Sequence, residues 1–190
     1  MSFDIRRVPG DVRYRLRRWF DERVSNYAFR VDVRERWCRQ EFFYNAFKAL
    51  AFNGIEGDYL EFGCNGGVTF SMAHREAKRH GHTARFWAFD SFQGLPPPRT
   101  ECDEHPMWIE STLAMDLPSF HRQCAVSGMA REDYEVVPGF YEDSLPLNDE
   151  ESGPDSPALV YIDCDLYSST RDVLAFLQPR LRHGMIIGFD

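Results

Sequence analysis

The sequence predicts an α/β fold with a mostly parallel sheet, and three observations support that prediction. Short apolar segments alternate with helical segments through residues 55–190. Two of the apolar segments end at aspartates, Asp163 and Asp190, and an earlier one ends in the glycine-rich turn 63–67. Alternating strands and helices favour parallel strands with right-handed crossovers. Ligands of such sheets bind at the carboxyl ends of the strands, which is where we expect these residues to meet.

The composition indicates a globular protein with one domain. The chain has 190 residues, of which 43% are hydrophobic and 27% charged. Its net charge of −8 argues against nucleic acid or an anionic membrane as a partner. No apolar run approaches the roughly 20 residues of a membrane span, and the first residues lack a secretory signal, so we expect a cytoplasmic protein. The five cysteines contain no Cys-x-x-Cys pair, which argues against disulfides and a zinc site.

The N-terminal region is predicted to be helical over residues 11–53. Glycine and proline are absent from 11–52, and Phe43, Phe47 and Leu50 recur at helical spacing. Asn53-Gly54 ends this region. We therefore expect an N-terminal helical region over 1–54 and an α/β core over 55–190, together forming one compact domain.

Five strands and several helices are predicted within the core. The strands are expected at 59–62, 86–89, 134–137, 159–162 and 185–189. Helices are expected at 68–79, at 108–129 with a break near Pro118, and in a segment that Ser169 can cap. The proline-rich stretch 93–106 is expected to be a functional loop. In the common strand order 3-2-1-4-5, the fourth and fifth strands are neighbours.

The turn after the first predicted strand is suited to a ligand. Glycine permits positive φ and a close approach to the backbone, and the helix that begins near Val68 offers unpaired amides. Glu61, near the strand end, could accept a hydrogen bond from a ligand ammonium. The spacing is not Gly-x-Gly-x-x-Gly, so a merely tight turn is an alternative, as is a partly exposed strand acid for Glu61.

Three further acids are expected at strand ends. Asp90 occupies the position where nucleotide-binding α/β folds hold ribose hydroxyls, in dehydrogenases and methyltransferases alike. Asp163 and Asp190 end neighbouring strands, which lie about 4.8 Å apart, so they could share a hard cation such as magnesium. Asp165 could support them. The alternative is that these acids only cap the following turns.

Four segments in order carry a resemblance to a known family. They are Gly-Asp-Tyr-Leu-Glu-Phe-Gly at 57–63, Phe-Asp-Ser-Phe-Gln-Gly-Leu-Pro at 89–96, Gly-Phe-Tyr-Glu-Asp-Ser-Leu-Pro at 139–146, and Ile-Asp-Cys-Asp-Leu-Tyr-Ser-Ser-Thr at 162–170. Together they resemble the macrocin O-methyltransferase family of class I enzymes that use S-adenosylmethionine. The resemblance covers roughly residues 55–190 and implies a Rossmann-like core.

The resemblance also implies roles for individual residues. Asp163 would be a metal ligand and the base for a sugar-type hydroxyl, and Asp190 a second metal ligand. The cofactor would be held along the strand ends. Glu61 and Gly63 would contact its methionine part, and Asp90 would bind its ribose. Ser91 and Phe92 would lie beside the adenosine, and Gly139 and Phe140 would flank the adenine. The other predicted cofactor-binding residues are Asn65, Gly66, Gly67 and Asp163.

The expected function is methyl transfer from S-adenosylmethionine to a hydroxyl of a sugar or natural-product-type small molecule, assisted by Mg²⁺ or another divalent cation. The family usually continues with another aspartate after position 190 and with two further strands, so the resemblance implies a C-terminally truncated chain. Two alternatives stay open. One is a nicotinamide-dependent oxidoreductase, and the other is an inactive cofactor-binding fragment, for which an exposed sheet edge would favour homo-oligomers.

Overall fold

The computed structural model describes Val12, Arg15, residues 27–147 and residues 153–190. The chain divides into two compact units, Met1–Phe42 and Phe43–Asp190, and the division falls inside the first described helix. The predicted boundary at residue 54 stays a prediction.

In the described part of the chain, the α-helices are α1 Tyr27–Asn53, α2 Val68–Arg79, α3 Leu117–Val126, α4 Tyr141–Ser144 and α5 Tyr167–Leu177. The strands are β1 Asp58–Phe62, β2 Phe86–Asp90, β3 Tyr134–Pro138, β4 Pro157–Ile162 and β5 Ile186–Phe189.

All five strands form one parallel sheet in the order β3-β2-β1-β4-β5, which confirms the predicted architecture. Their last residues are in register. Phe62 of β1 lies opposite Phe89 of β2 and Ile162 of β4, and Ile162 lies opposite Phe189 of β5. The residues that follow these positions therefore emerge at one edge of the sheet.

The two faces of the sheet pack against different helices. Side chains alternate along a strand, so Tyr59 and Glu61 share one face of β1 while Leu60 and Phe62 share the other. Tyr59 contacts Phe70 of α2 and the end of α1, with ring centroids 5.9 Å apart in the first pair. The opposite face forms a core with α5, which includes Val160, Ile162, Val173, Phe176 and Leu177. Both faces are thus covered, as a parallel sheet requires.

The helix expected over 108–129 is shorter than predicted. Only Leu117–Val126 is helical, and Pro118 starts this helix rather than breaking it. The Asp116 carboxylate accepts a hydrogen bond from the Ser119 amide at 2.7 Å, and proline is tolerated in a first turn because its missing N–H would have no helical partner there. Upstream, Leu113 has a φ of +57°, which a right-handed helix does not allow.

The start of α5 also differs from the prediction. The helix begins at Tyr167, with Leu166 in the capping position, so Ser169 lies inside its first turn and does not cap it. The backbone amide of Ser168 instead donates to the carboxylate of Asp103 at 2.8 Å. A side chain from a distant loop thus supplies the acceptor that the sequence near the helix lacks. No helix among the described residues has the length and apolar character needed to cross a membrane.

Candidate functional site

The predicted acids 163 and 190 emerge side by side at the carboxyl edge of the sheet. The backbone amide of Asp163 donates to the carbonyl oxygen of Phe62 at 2.8 Å, and that of Asp190 donates to the carbonyl oxygen of Ile162 at 3.1 Å. Each strand end is therefore tied to its neighbour by the first residue beyond it. The predicted adjacency of these two strand ends is confirmed, and a cation shared by the two carboxylates stays a prediction.

The glycine turn begins in contact with the Asp163 backbone. Gly63 has a φ of +88°, and a Cβ built on it would lie 1.9 Å from the carbonyl oxygen of Asp163. Only glycine fits this position without moving one of the two strands. The end of β1 and the end of β4 are consequently packed backbone against backbone.

The rest of the turn consists of the short 3₁₀ helix Asn65–Gly67, which leads into α2. Gly66 and Gly67 have φ angles of +70° and +62°, and Asn65 is exposed. The Gly67 amide donates to the carbonyl oxygen of Cys64 at 2.7 Å. The turn is thus compact, and a role of these three residues in holding a cofactor stays a prediction.

Asp90 fastens the glycine turn to the end of β2. Its Oδ2 accepts from the backbone amide of Cys64 at 2.7 Å, and its Oδ1 accepts from that of Phe92 at 2.8 Å. Burial raises the pKa of Asp90 above its ordinary value, and the amide donors only partly oppose this rise. Each carboxylate oxygen has a second lone pair, so Asp90 can hold the turn and still accept a ligand hydroxyl.

Glu61 lies deeper than expected. Its side chain is 0% exposed, so the alternative of a partly exposed strand acid is wrong. The hydroxyl of Tyr59 donates to its Oε2. Burial, and then the charge of Glu61, raise the pKa of Tyr59 well above its ordinary value. This places a buried carboxyl group at the end of β1, next to the glycine turn.

Ser91 and Phe92 shape the loop after Asp90. The Ser91 hydroxyl donates to the carbonyl oxygen of Gly94 at 2.7 Å and accepts from the Gln93 amide at 3.0 Å. Phe92 has a φ of +55°, and its ring packs against Phe120 of α3 with centroids 5.4 Å apart. Both side chains are therefore part of the framework beside Asp90, and direct contact of either with a cofactor stays a prediction.

Gly139 and Phe140 continue the same edge on the side of β3. The Gly139 amide donates to the carbonyl oxygen of Asp90 at 3.0 Å. Phe140 precedes α4, and its carbonyl oxygen accepts from the Ser144 amide at 2.9 Å. The residues predicted for ribose and adenine are thus neighbours at this edge, and their roles in holding a nucleoside stay predictions.

Acidic groups converge at the other end of the site. The Tyr161 hydroxyl donates to Oδ1 of Asp190 at 2.6 Å. Burial, and then the charge of Asp190, raise the pKa of Asp165 above its ordinary value. Within residues 27–147 and 153–190, however, no three histidine, cysteine or acidic side chains are arranged to hold a metal ion. The structure therefore brings together strand-end acids but no complete set of metal ligands from the described residues.

Tyr141 belongs to this edge and was not predicted. Its hydroxyl donates to the carbonyl oxygen of Phe89 at 3.2 Å, and its ring packs edge-on against Phe62. Burial, followed by the charges of Cys164 and Asp90, raises the pKa of Tyr141 well above its ordinary value. The sequence signal was its place directly after Gly139-Phe140, in a segment that already carried the family resemblance.

Asp103 is a second residue that the sequence prediction missed. It is 0% exposed, and its Oδ2 accepts from the backbone amides of Arg99 and Thr100, both at 2.9 Å, while Oδ1 accepts from the Ser168 amide. Burial alone would raise the pKa of Asp103, but these donors outweigh burial and lower the pKa to about 2. The Thr100-x-x-Asp103 spacing of a capping box was the available signal.

Arg99 reaches from the same proline-rich loop to two helices. Its guanidinium contacts the Glu142 carboxylate of α4 at 2.6 Å and the Asp172 carboxylate of α5 at 2.5 Å. Its side chain is 27% exposed and that of Glu142 is 45% exposed, so we expect added salt to weaken this bridge. The loop is therefore held to both α4 and α5.

The low pKa of Asp103 predicts a stability change at acid pH. Because the pKa of Asp103 in the folded state, about 2, lies below the ordinary value of 3.8, folding favours the charged carboxylate. Its contribution is complete above the unfolded-state pKa and is lost as the pH falls through 3.8 towards about 2. We expect Asp103→Asn to lower the free energy of unfolding by about 2 kcal/mol at pH 7 and by much less near pH 2.5. Urea unfolding of both proteins at the two pH values measures this, and an equal difference at both would contradict it.

Comparison with known proteins gives consistent matches. The sequence profile described as Macrocin-O-methyltransferase (TylF) matches residues 35–190. The chain is 31% identical over 147 residues to 8-demethyl-8-(2,3-dimethoxy-alpha-L-rhamnosyl)-tetracenomycin-C 4'-O-methyltransferase of Streptomyces olivaceus, which covers 73% of this chain and 54% of the relative. It is 32% identical over 142 residues to Mycinamicin III 3''-O-methyltransferase of Micromonospora griseorubida, and this match covers 70% of this chain and 54% of the relative. The chain thus spans about half the length of these relatives.

Solved structures agree on the architecture. The O-methyltransferase NovP superposes with a TM-score of 0.70 at 26% identity, covering 80% of this chain and 64% of that one. The calicheamicin methyltransferase CalS11 also gives a TM-score of 0.70, at 19% identity, covering 100% of this chain and 82% of that one. The second likeness concerns the fold alone.

Proposed function

Because this chain belongs to the macrocin O-methyltransferase family, we propose that it transfers the methyl group of S-adenosylmethionine to a hydroxyl oxygen of a small molecule. The observation that carries the proposal is the contact between the glycine turn and the strand-end acids. Asp90 holds that turn from one side, and the backbone of Asp163 packs against Gly63 from the other. A nucleoside cofactor on the first side would thus lie next to a carboxylate on the second.

The chemistry of the edge suits each part of the cofactor. The carboxyl group of Glu61 is buried near the turn, where it would accept a hydrogen bond from the methionine ammonium of the cofactor. Asp90 provides lone pairs for ribose hydroxyls, and Gly139 and Phe140 follow it towards the adenine. The α2 helix begins at Val68, directly after the turn, and a helix N-terminus offers partial positive charge to a carboxylate. We therefore propose that the cofactor lies across the ends of β1, β2 and β3.

Asp163 is the proposed base. It would accept the proton of the acceptor hydroxyl while the oxygen attacks the methyl carbon, and the methyl–sulfur bond breaks with its electron pair going to sulfur. The products are a methyl ether, S-adenosylhomocysteine and a protonated Asp163. The protein would contribute mainly orientation of the two substrates and general-base catalysis.

The acceptor is proposed from the relatives. The Streptomyces olivaceus protein is named for 4'-O-methylation of a rhamnosyl-tetracenomycin, and the Micromonospora griseorubida protein for 3''-O-methylation of mycinamicin III. The Streptomyces niveus relative is named demethyldecarbamoylnovobiocin O-methyltransferase. All three names describe O-methylation of a small molecule. We propose a hydroxylated natural product, of which a glycoside is the most direct example, as the acceptor class.

The proposal includes a divalent cation at the strand-end acids. The available donors are carboxylate oxygens, which suit Mg²⁺. Burial, and then the charge of Asp190, raise the pKa of Asp165, and a cation would relieve the second of these effects. Only Asp163 and Asp190 stand at adjacent strand ends, and no group of three ligands is found in the described part of the chain. If bound by these two residues, the ion would lower the pKa of the acceptor hydroxyl as a Lewis acid.

Calorimetry tests the proposal directly. We expect S-adenosylmethionine to bind with a one-to-one stoichiometry, and absence of heat at millimolar cofactor would reject the proposal. Titration of the same protein with reduced nicotinamide cofactor should give no signal, since the glycine turn lacks the Gly-x-Gly-x-x-Gly spacing. Adding MgCl₂ to the cofactor-loaded protein measures cation binding separately, and no heat in that titration would remove only the metal from the proposal.

A further inference from the structure

The proline-rich loop is fastened to the site by a buried charge that the proposed reaction does not use. Asp103 is fully buried, although charged side chains are rarely so unless they are paired. Its partners are neutral donors rather than a cation: the backbone amides of Arg99 and Thr100 and the Thr100 hydroxyl in its own loop, and the backbone amide of Ser168 in α5. One carboxylate thus joins two parts of the chain that are far apart in sequence.

The Ser168 contact lies close to the proposed base. Ser168 is the fifth residue after Asp163, and the intervening turn is tight, because the Leu166 amide donates to the carbonyl oxygen of Cys164 at 2.6 Å. Asp165 within this turn has a φ of +58°, a conformation that costs energy unless the surroundings maintain it. The position of the start of α5 therefore helps to maintain the strained conformation of this turn.

Asp103 holds the start of α5 in place, because no side chain next to the helix start caps it. The side chain of Leu166, in the capping position, cannot accept a hydrogen bond, so the Ser168 amide has its acceptor only across the loop. On the other side of the turn, Asp163 is tied to Phe62 by its backbone amide. The turn that carries Asp163 is consequently held at both ends, by the sheet and by Asp103.

We propose that Asp103 is a positioning residue for methyl transfer, which fixes the turn from Asp163 to Ser168 so that the Asp163 carboxylate faces the acceptor hydroxyl. This proposal rests on the proposed function. A shift of the base by about 1 Å can cost roughly a hundredfold in rate, which sets the size of the effect that such positioning can have. Asp103 itself would not touch either substrate.

The test compares Asp103→Asn with Asp116→Asn. An asparagine at 103 cannot accept at both ends, because its amide nitrogen only donates, so either the Ser168 contact or the Arg99 and Thr100 contacts are lost. Asp116 is a matched control, since its carboxylate also accepts from an amide at a helix start, but in exposed surroundings at α3. Asp103→Ala is the stronger variant, and the asparagine variant keeps the test usable if the alanine variant does not fold.

Two measurements distinguish a role of Asp103 in positioning the base from a role in the stability of the fold. We expect faster amide hydrogen exchange at residues 163–170 in Asp103→Asn, with residues 59–64 unchanged. We also expect kcat per cofactor-binding site to fall tenfold to a hundredfold, while the Kd for S-adenosylmethionine stays within threefold. The Asp116 variant should match the parent in both. If only the binding capacity falls and kcat per site is retained, Asp103 is structural and the proposal is overturned.

The exchange measurement does not depend on turnover. Unchanged exchange at 163–170 in Asp103→Asn would overturn the proposal even if the parent chain showed no methyl transfer. A parent chain that fails to bind S-adenosylmethionine would instead contradict the proposed function. Faster exchange with undiminished kcat would show that Asp103 holds the turn but does not position the base, and would also overturn the proposal.

Discussion

Replacing Asp163 with asparagine is expected to reduce turnover by about 100-fold to 10,000-fold while leaving the affinity for S-adenosylmethionine within several-fold. The amide cannot take a proton from the acceptor hydroxyl, and a positioned general base contributes a rate factor of this size. The backbone amide of residue 163, which bonds to Phe62, is unaffected by the change, so the end of β4 should keep its place. Initial rates and calorimetry on the same preparation measure both quantities.

A matched control is available on α1. Asp32 is an exposed acid that pairs with Arg36 one turn further along the helix, with an N–O distance of 3.2 Å. Exposed pairs of this kind contribute little to stability, so Asp32→Asn should retain the parent rate. Undiminished turnover in Asp163→Asn would refute the role of Asp163 as base. A parallel loss of turnover and cofactor affinity would assign Asp163 to cofactor binding instead.

Gly63→Ala is expected to destabilise the fold by at least about 3 kcal/mol and to abolish cofactor binding. Two effects add. The φ of +88° is strained for any residue with a Cβ, and this Cβ would lie 1.9 Å from the carbonyl oxygen of Asp163. Relief requires the ends of β1 and β4 to separate, which moves the glycine turn away from the proposed base. Thermal unfolding should show a midpoint lower by about 10 °C.

Gly81→Ala is a control that distinguishes the energetic cost of a positive φ from the cost of steric overlap. Gly81 also has a positive φ, +66°, but a Cβ there would meet nothing within 4 Å. We expect a loss of only about 1 kcal/mol and unchanged cofactor affinity. Equal losses in the two variants would contradict the argument that the backbone contact between Gly63 and Asp163 defines the site.

The strand-end residues could be predicted because parallel sheets obey a simple rule. Once the segments ending at Asp90, Asp163 and Asp190 are recognised as strands, connection rules place their ends along one edge, and the structure has them there. The strand order 3-2-1-4-5 is the common order of such sheets. These predictions depend on local pattern and on general topology, and neither needs the positions of individual side chains.

The residues that were missed depend on contacts across long stretches of sequence. Asp103 lies 65 positions before the amide that it binds, and Tyr141 lies 52 positions after the carbonyl oxygen to which it donates. The cap of α5 was assigned to Ser169 because the sequence offers a serine nearby, whereas the acceptor is the Asp103 carboxylate. The length of α3 was overestimated because apolar spacing does not reveal the positive φ at Leu113.

The sequence by itself determined the α/β class, the family, and the acids and glycines at the strand ends, since these follow from hydrophobic periodicity and short motifs. The strand order was predicted because it is the common order of such folds. Only the tertiary structure decided that Glu61 is buried, that Asp90 fastens the glycine turn, and that Asp103 holds the turn beyond Asp163. The physical reason is that a carboxylate acquires its role from the donors and the burial around it, and those come from residues that folding, not sequence proximity, brings together.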